Sequence, residues 1–126
     1  MFEVTARINI REGEIDGFRR QAAEIMRQSR TKDTHPLRYD WYLSDDGMEC
    51  EVRETYPNAD AVVAHQRAVG EAKIELFRDF AAGHTMTLYG KPSPALAGVL
   101  EAMGVTYTQF SLFQGLKAEA LEEVPA

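Results

Sequence analysis

A chain of 126 residues, 44% of them hydrophobic, has material for one domain built around one core. Its net charge of −6 excludes a broad basic nucleic-acid footprint, because phosphate binding rests on clustered Lys and Arg. The single cysteine, Cys50, excludes an intramolecular disulfide and fits a reducing, cytoplasmic setting, and one Cys with three scattered His gives no zinc spacing.

No apolar run approaches the roughly 20 residues that span a bilayer. Met1 to Ile10 alternates instead of joining a basic region to an apolar stretch, so neither a membrane span nor a signal peptide is expected. That alternation sets Val4, Ala6, Ile8 and Ile10 on one face of a strand, with Thr5, Arg7 and Asn9 on the other. Arg7 and Asn9 read as interface or barrel-interior residues. Glu14 to Ser29 carries Ile15, Phe18, Ala22, Ile25 and Met26 on one helical stripe. Gly17 weakens its first turn by roughly 1 kcal/mol relative to Ala. Arg30 to Pro36 reads as a polar loop.

Leu37 to Ser44 and Met48 to Tyr56 flank Asp45-Asp46-Gly47, a strong hairpin signal. Asn58 is a good N-cap for a second helical region, with Asp60 in its positive first turn. Gly70 suggests a break into Ala59 to Val69 and Glu71 to Ala82, with Gly83 as C-cap. His84 to Gly90 reads as a strand. Ser93-Pro94 opens a short helix to about Met103, and Val105 to Phe113 is a last strand. Lys117 to Ala126 is a charged tail expected to be mobile.

The order β-α-β-β-α-β, followed by a helix and a strand, is the α+β ferredoxin-like split βαβ pattern with a C-terminal addition, one domain over residues 1–116. Such a sheet carries helices on one face and leaves the other to be covered. A second copy of the chain is the economical cover, and Tyr107, Phe110, Leu112 and Phe113 give it apolar surface, so a homodimer is expected.

A loop at Asp46-Gly47 fixes the hairpin register: Leu43 faces Cys50, Trp41 faces Val52, Tyr39 faces Glu54, and Leu37 faces Tyr56. On the opposite face Asp40 meets Arg53, an opposite-charge pair. Glu54 is then the odd residue, a carboxyl group among Tyr39, Trp41, Val52 and Tyr56. It must be paired or hydrogen-bonded there. It is either a general base and ligand-orienting acceptor, or a structural acceptor for a Tyr hydroxyl or a loop amide. His65 shares its helical stripe with Val62 and Val69, turned to the sheet above Glu54 and Tyr56. It is either a pocket residue or a satisfied core histidine. His35 and His84 read as polar surface. No nucleophile elbow and no phosphate loop appears.

The run from Glu54-Thr-Tyr56-Pro through Asn-Ala-Asp-Ala-Val-Val-Ala-His65 resembles the central stretch of the antibiotic-biosynthesis-monooxygenase-like (ABM) family. Arg38 to Gly47 and Phe113-Gln-Gly-Leu116 are similar to a longer bacterial subgroup of it. The resemblance covers roughly residues 1 to 116. It implies a dimeric α+β barrel and, in some members, oxidation of phenolic or quinol-like compounds by dioxygen without metal or flavin. The haem-degrading branch carries an Asn, a Trp and a His. Asn9 and His65 match, but the third strand has Glu54 and Tyr56 and no Trp.

Two functions are thereby expected to compete. One is a cofactor-independent monooxygenase on a small phenolic or quinol-like aromatic, with His65 and Glu54 catalytic and Tyr39, Trp41 and Tyr56 binding the substrate. If Glu54 and His65 meet, the carboxylate should hold the imidazole in one tautomer. The other is a non-catalytic small-molecule-binding or accessory protein on the same scaffold. Neither calls for a metal or a tightly held organic cofactor.

Overall fold

Five strands and three helices follow the expected order in the computed structural model, which describes residues 1–33 and 35–116. They are β1 (Phe2–Ile10), α1 (Ile15–Lys32), β2 (Arg38–Leu43), β3 (Glu49–Tyr56), α2 (Ala59–Phe80), β4 (Ala81–Tyr89), α3 (Pro94–Ala102) and β5 (Thr106–Phe110). The strands make one sheet in the order β2-β3-β1-β4-β5. All neighbours are antiparallel except β4 and β5, which the α3 crossover leaves parallel. The first four strands thus have the ferredoxin-like order, and β5 extends the edge. The tail 117–126 lies outside the described residues.

The alternation of β1 works as expected: Val4, Ala6, Ile8 and Ile10 are buried under the helices, with Phe2 added. The hairpin register also holds, with Tyr39 opposite Glu54, Trp41 opposite Val52 and Leu43 opposite Cys50. Its turn closes through Gly47 N–H to the Ser44 carbonyl at 3.0 Å, and Gly47 takes φ of 71°, where a side chain would strain. Asp40 does face Arg53 across the ladder, yet its carboxylate bonds Arg38 of its own strand at 2.7 Å. Leu37 lies outside the ladder and is exposed.

Four boundaries differ from the periodicity reading. Helix α1 runs on to Lys32, so the loop before β2 is shorter. Helix α2 passes through Gly70 unbroken, because nothing crowds that position and the buried stripe around it holds the helix. Gly83 is no C-cap: α2 ends at Phe80, and Gly83 is already paired with Asn9 in β4. Strand β5 stops at Phe110. The caps at Asn58 and Ser93 do form, accepting from Ala61 N–H at 3.0 Å and Leu96 N–H at 3.2 Å. Gly17 also finds its reason: a Cβ there would lie 2.3 Å from the Phe80 ring, so its absence lets α1 close on the end of α2.

The face of the sheet away from the helices is polar. Arg7 pairs with Glu51 at 2.7 Å and with Glu49 at 3.4 Å, and Thr5, Asn9, Arg53, Thr85 and Thr87 lie alongside. Strand β5 and the segment after it are exposed throughout, Phe113 at 90% and Leu116 at 99%. No helix among the described residues is long and apolar enough to cross a membrane.

Candidate functional site

Strand alternation turns Tyr39 and Trp41 of β2 and Glu54 and Tyr56 of β3 toward the helices. On α2, His65 and Lys73 stand eight residues apart, about two turns, and so share the stripe of Val62 and Val69. The long α1 delivers Asp33, its C-cap residue, onto the same ground. The result is a buried polar cluster inside an apolar shell, with His65 fully enclosed and Glu54 only 4% exposed.

Both imidazole nitrogens of His65 are engaged. Nδ1 lies 2.6 Å from Asp33 Oδ2, and Nε2 lies 2.9 Å from Lys73 Nζ. Glu54 Oε1 is 3.8 Å from Nε2, too far for a hydrogen bond, and instead accepts from the Tyr56 hydroxyl at 2.5 Å. The carboxylate that orients His65 is therefore Asp33 and not Glu54, and Glu54 has the Tyr partner that its structural reading called for. Rings complete the wall. Tyr39 meets His65 edge-on at 4.6 Å, Tyr56 lies 5.6 Å from it, and Trp41 lies 5.8 Å from Tyr39 and 6.2 Å from Phe18.

Burial governs the protonation states. It pulls the His65 imidazole below its ordinary range, helped by the Lys73 charge and opposed by the Asp33 hydrogen bond and the Glu54 charge. Neutral His65 then carries its proton on Nδ1, facing Asp33, and Nε2 accepts from Lys73. Lys73 is also lowered by burial, against the pull of Glu54 and Asp33. Burial pushes Asp33 up, but the His65 hydrogen bond, the His65 charge once that ring is protonated at low pH, and the His35 amide and ring leave it below the ordinary carboxylate range. The Tyr39 and Tyr56 hydroxyls are driven well above theirs by burial and the Glu54 charge. The Trp41 indole tempers the rise at Tyr39 without closing a hydrogen bond, so Tyr39 Oη and Trp41 Nε1 are both buried and unpartnered.

All five side chains expected at the site are thus neighbours, with Trp41 one ring removed from His65. Asp33 and Lys73 escaped the sequence. Lys73 had a weak signal, its place on the His65 stripe; Asp33 had none, since a polar loop is where an Asp is unremarkable. His84 departs from its surface reading: its ring stacks on Phe77 at 4.0 Å, and its Nε2 is buried without a partner. His35 bonds Asp33 through ring and amide, each at 3.2 Å. Among the described residues no three His, Cys, Asp or Glu are grouped to hold a metal ion.

Two of the described cavities share a residue with the cluster. One of about 160 Å³ on the open sheet face is lined by Glu54, Thr5, Arg38 and Arg53 among others. One of about 140 Å³ between α1 and the hairpin is lined by Phe18, Arg19, Ala22, Trp41, Leu43 and Cys50. The Cys50 thiol in that wall is pushed up to about 11 by burial. The largest described cavity, about 340 Å³, is separate, bordered by Tyr89, Phe110, Leu112 and Phe113.

The family model for antibiotic biosynthesis monooxygenases matches residues 1–84. No curated protein matches the sequence. Among solved structures, MupZ from Pseudomonas fluorescens superposes with a TM-score of 0.72 at 19% identity, covering 96% of this chain and 91% of its own. Rv0793 from Mycobacterium tuberculosis gives 0.61 at 20% identity over 75% of this chain and 97% of its own. A crystal structure of an antibiotic biosynthesis monooxygenase gives 0.64 at 18% identity over 74% of this chain and all of its own. At these identities the likeness is one of fold. The shorter two leave about a quarter of this chain unmatched, whereas MupZ spans nearly all of it.

Proposed function

The chain belongs to the antibiotic biosynthesis monooxygenase family, and from that premise we propose that it is a cofactor-independent monooxygenase of small phenolic or quinol-like aromatics, acting as a cytoplasmic homodimer. The observation that carries this reading is the buried, ring-walled cluster in which an oriented His65 and Glu54 lie within 3.8 Å of each other. Desolvated bases between aromatic walls suit removal of a phenolic proton.

The step needs no outside reductant. Loss of the hydroxyl proton to His65 or Glu54 makes the ring a phenolate, which gives electrons to dioxygen. A carbon–oxygen bond forms at an activated ring carbon. Cleavage of the resulting peroxide leaves a quinone carbonyl at that carbon and releases water, whose two hydrogens are the one the ring carbon carried and the proton first taken from the hydroxyl. Tyr39, Trp41 and Tyr56 would sandwich the ring, and Asp33 keeps the imidazole in its tautomer. Because Nε2 already accepts from Lys73, His65 takes up a substrate proton only as Lys73 moves aside or hands it on.

The complete burial of the cluster favours a second reading, a non-catalytic binding or accessory protein on the same scaffold. Oxygen uptake separates the two. Metal-free protein, assayed against a panel of quinols and anthrones, should consume oxygen with at least one. His65→Ala and Glu54→Gln should each slow that reaction at least about tenfold, the low end of what removing a true base costs. No uptake across the panel, or full activity in both variants, removes the monooxygenase reading.

A further inference from the structure

Three side chains stand in the relation of orienter, base and nucleophile. Asp33 Oδ2 holds His65 Nδ1 at 2.6 Å, and His65 Nε2 faces Lys73 Nζ at 2.9 Å. This is the connectivity by which an acid–imidazole pair activates a nucleophile, here with an amine at the third position. Lys73 Nζ also lies 5.5 Å over the Tyr39 ring. Beside that ring are the two buried atoms with no hydrogen-bond partner, Tyr39 Oη and Trp41 Nε1. Each has a hydrogen to donate, and a buried donor without an acceptor is costly enough to call for one. Trp41 also borders the cavity of about 140 Å³ between α1 and the hairpin, whose other walls are mainly apolar.

We propose that Asp33, His65 and Lys73 form an amine-activating triad, with Lys73 adding to the carbonyl carbon of a small apolar aldehyde or ketone whose oxygen is held by Tyr39 and Trp41. Tyr39 and Trp41 supply the missing acceptor's place, and the cavity outside Trp41 is the ligand's way in once that half-buried ring turns. His65 takes one proton from the Lys73 ammonium, and the free amine forms a carbon–nitrogen bond. The carbonyl oxygen, protonated, leaves as water, and an imine remains on Lys73. Nothing is oxidised or reduced. Lys73 is catalytic in this step, and Asp33 acts through His65 as a positioning residue. The activity is independent of the oxygenation proposed above, since it uses no oxygen and no phenol.

Benzaldehyde with cyanoborohydride tests it, under argon, on the intact protein. The reductant converts any imine into a stable benzyl-lysine that peptide mapping assigns to Lys32, Lys73, Lys91 or Lys117, the four lysines of the chain. Lys32 and Lys91 are exposed and serve as internal references. Burial alone predicts that Lys73 is the slowest of the three. The triad predicts that it is the fastest at neutral pH, by at least about tenfold, and that Asp33→Asn and His65→Gln each remove that advantage. A merely structural role has the opposite sign, because loosening the cluster would expose Lys73 and speed its labelling. Benzyl groups confined to Lys32, Lys91 or Lys117 in the wild type overturn the proposal, and that measurement decides even where a variant does not fold. Labelling of Lys73 that is unchanged or faster in both folded variants overturns it too. Anaerobic labelling and oxygen uptake are separate readouts, so either reading can fail without the other.

Discussion

His65 and Asp33 are 32 positions apart, yet their side chains meet at 2.6 Å with both fully buried. The contact ties the end of α1 to the second turn of α2, and it gives stability a pH dependence. Both groups titrate below their ordinary values in the fold. In each case the unfolded chain binds the proton more readily, so stability rises with pH across the window. Stability should therefore begin to fall as pH drops below about 6.5, the ordinary histidine value, and fall faster below about 3.8, where Asp33 joins. Asp33→Asn should flatten the lower part of that curve. Urea unfolding at a series of pH values measures it, and a midpoint flat from pH 7 to 4 would contradict it.

Tyr56 donates the hydrogen bond that Glu54 accepts inside the apolar face. Removing only the donor leaves a buried carboxyl group short of a partner, which typically costs about 1–3 kcal/mol. Tyr56→Phe should lose about that much in urea unfolding. Adding Glu54→Leu in the same chain should recover part of the loss, since the stranded acceptor goes with it. A single variant as stable as wild type would show that Glu54 does not depend on Tyr56.

Gly17 and Phe80 define the tightest described glycine contact. Gly17→Ala normally favours a helix, but here the new methyl must displace the Phe80 ring. Overpacking of this kind costs about 1–3 kcal/mol, more than the propensity gain of about 1. Thermal unfolding should show a lower midpoint for Gly17→Ala and partial recovery in Gly17→Ala with Phe80→Leu. A rise in the single variant would mean that the ring yields freely.

The exposed apolar side chains of β5 and the segment after it bear on self-association. Phe113→Asp alters a side chain 90% exposed in the single chain, so the fold should tolerate it. If this surface is covered by a second copy, light scattering at micromolar concentration should give a dimer for wild type and a larger monomer fraction for the variant. Ile74→Asp, on the outer face of α2, is the control. A wild-type monomer would remove the dimer, and an undisturbed dimer in Phe113→Asp would move the interface elsewhere.

The parts of this fold that depend on local chemistry could be read from the chain. Asp46-Gly47 set the hairpin pairing, and that pairing alone turned Glu54 inward beside Tyr39. The helical stripe of Val62 and Val69 did the same for His65. What escaped depended on contacts distant in sequence. Residues 81–83 look like a helix end beside a glycine, but β1 pairs with them and draws them into the sheet. Asp33 looks like loop polarity until α1 proves long enough to seat it on α2. Lys73 drew no reading from the sequence, because buried lysines are rare, and only the carboxyl groups around it make its burial tolerable.

Cys50 sits on β3 with its thiol sealed and held in the unreactive form. A thiol reagent can reach it only when the space between hairpin and α1 opens. The chain thereby carries its own clock. In native buffer the rate at which a large excess of reagent modifies this one sulfur is the rate at which the wall beside Trp41 opens. Any ligand that settles there should slow the clock in proportion to its occupancy.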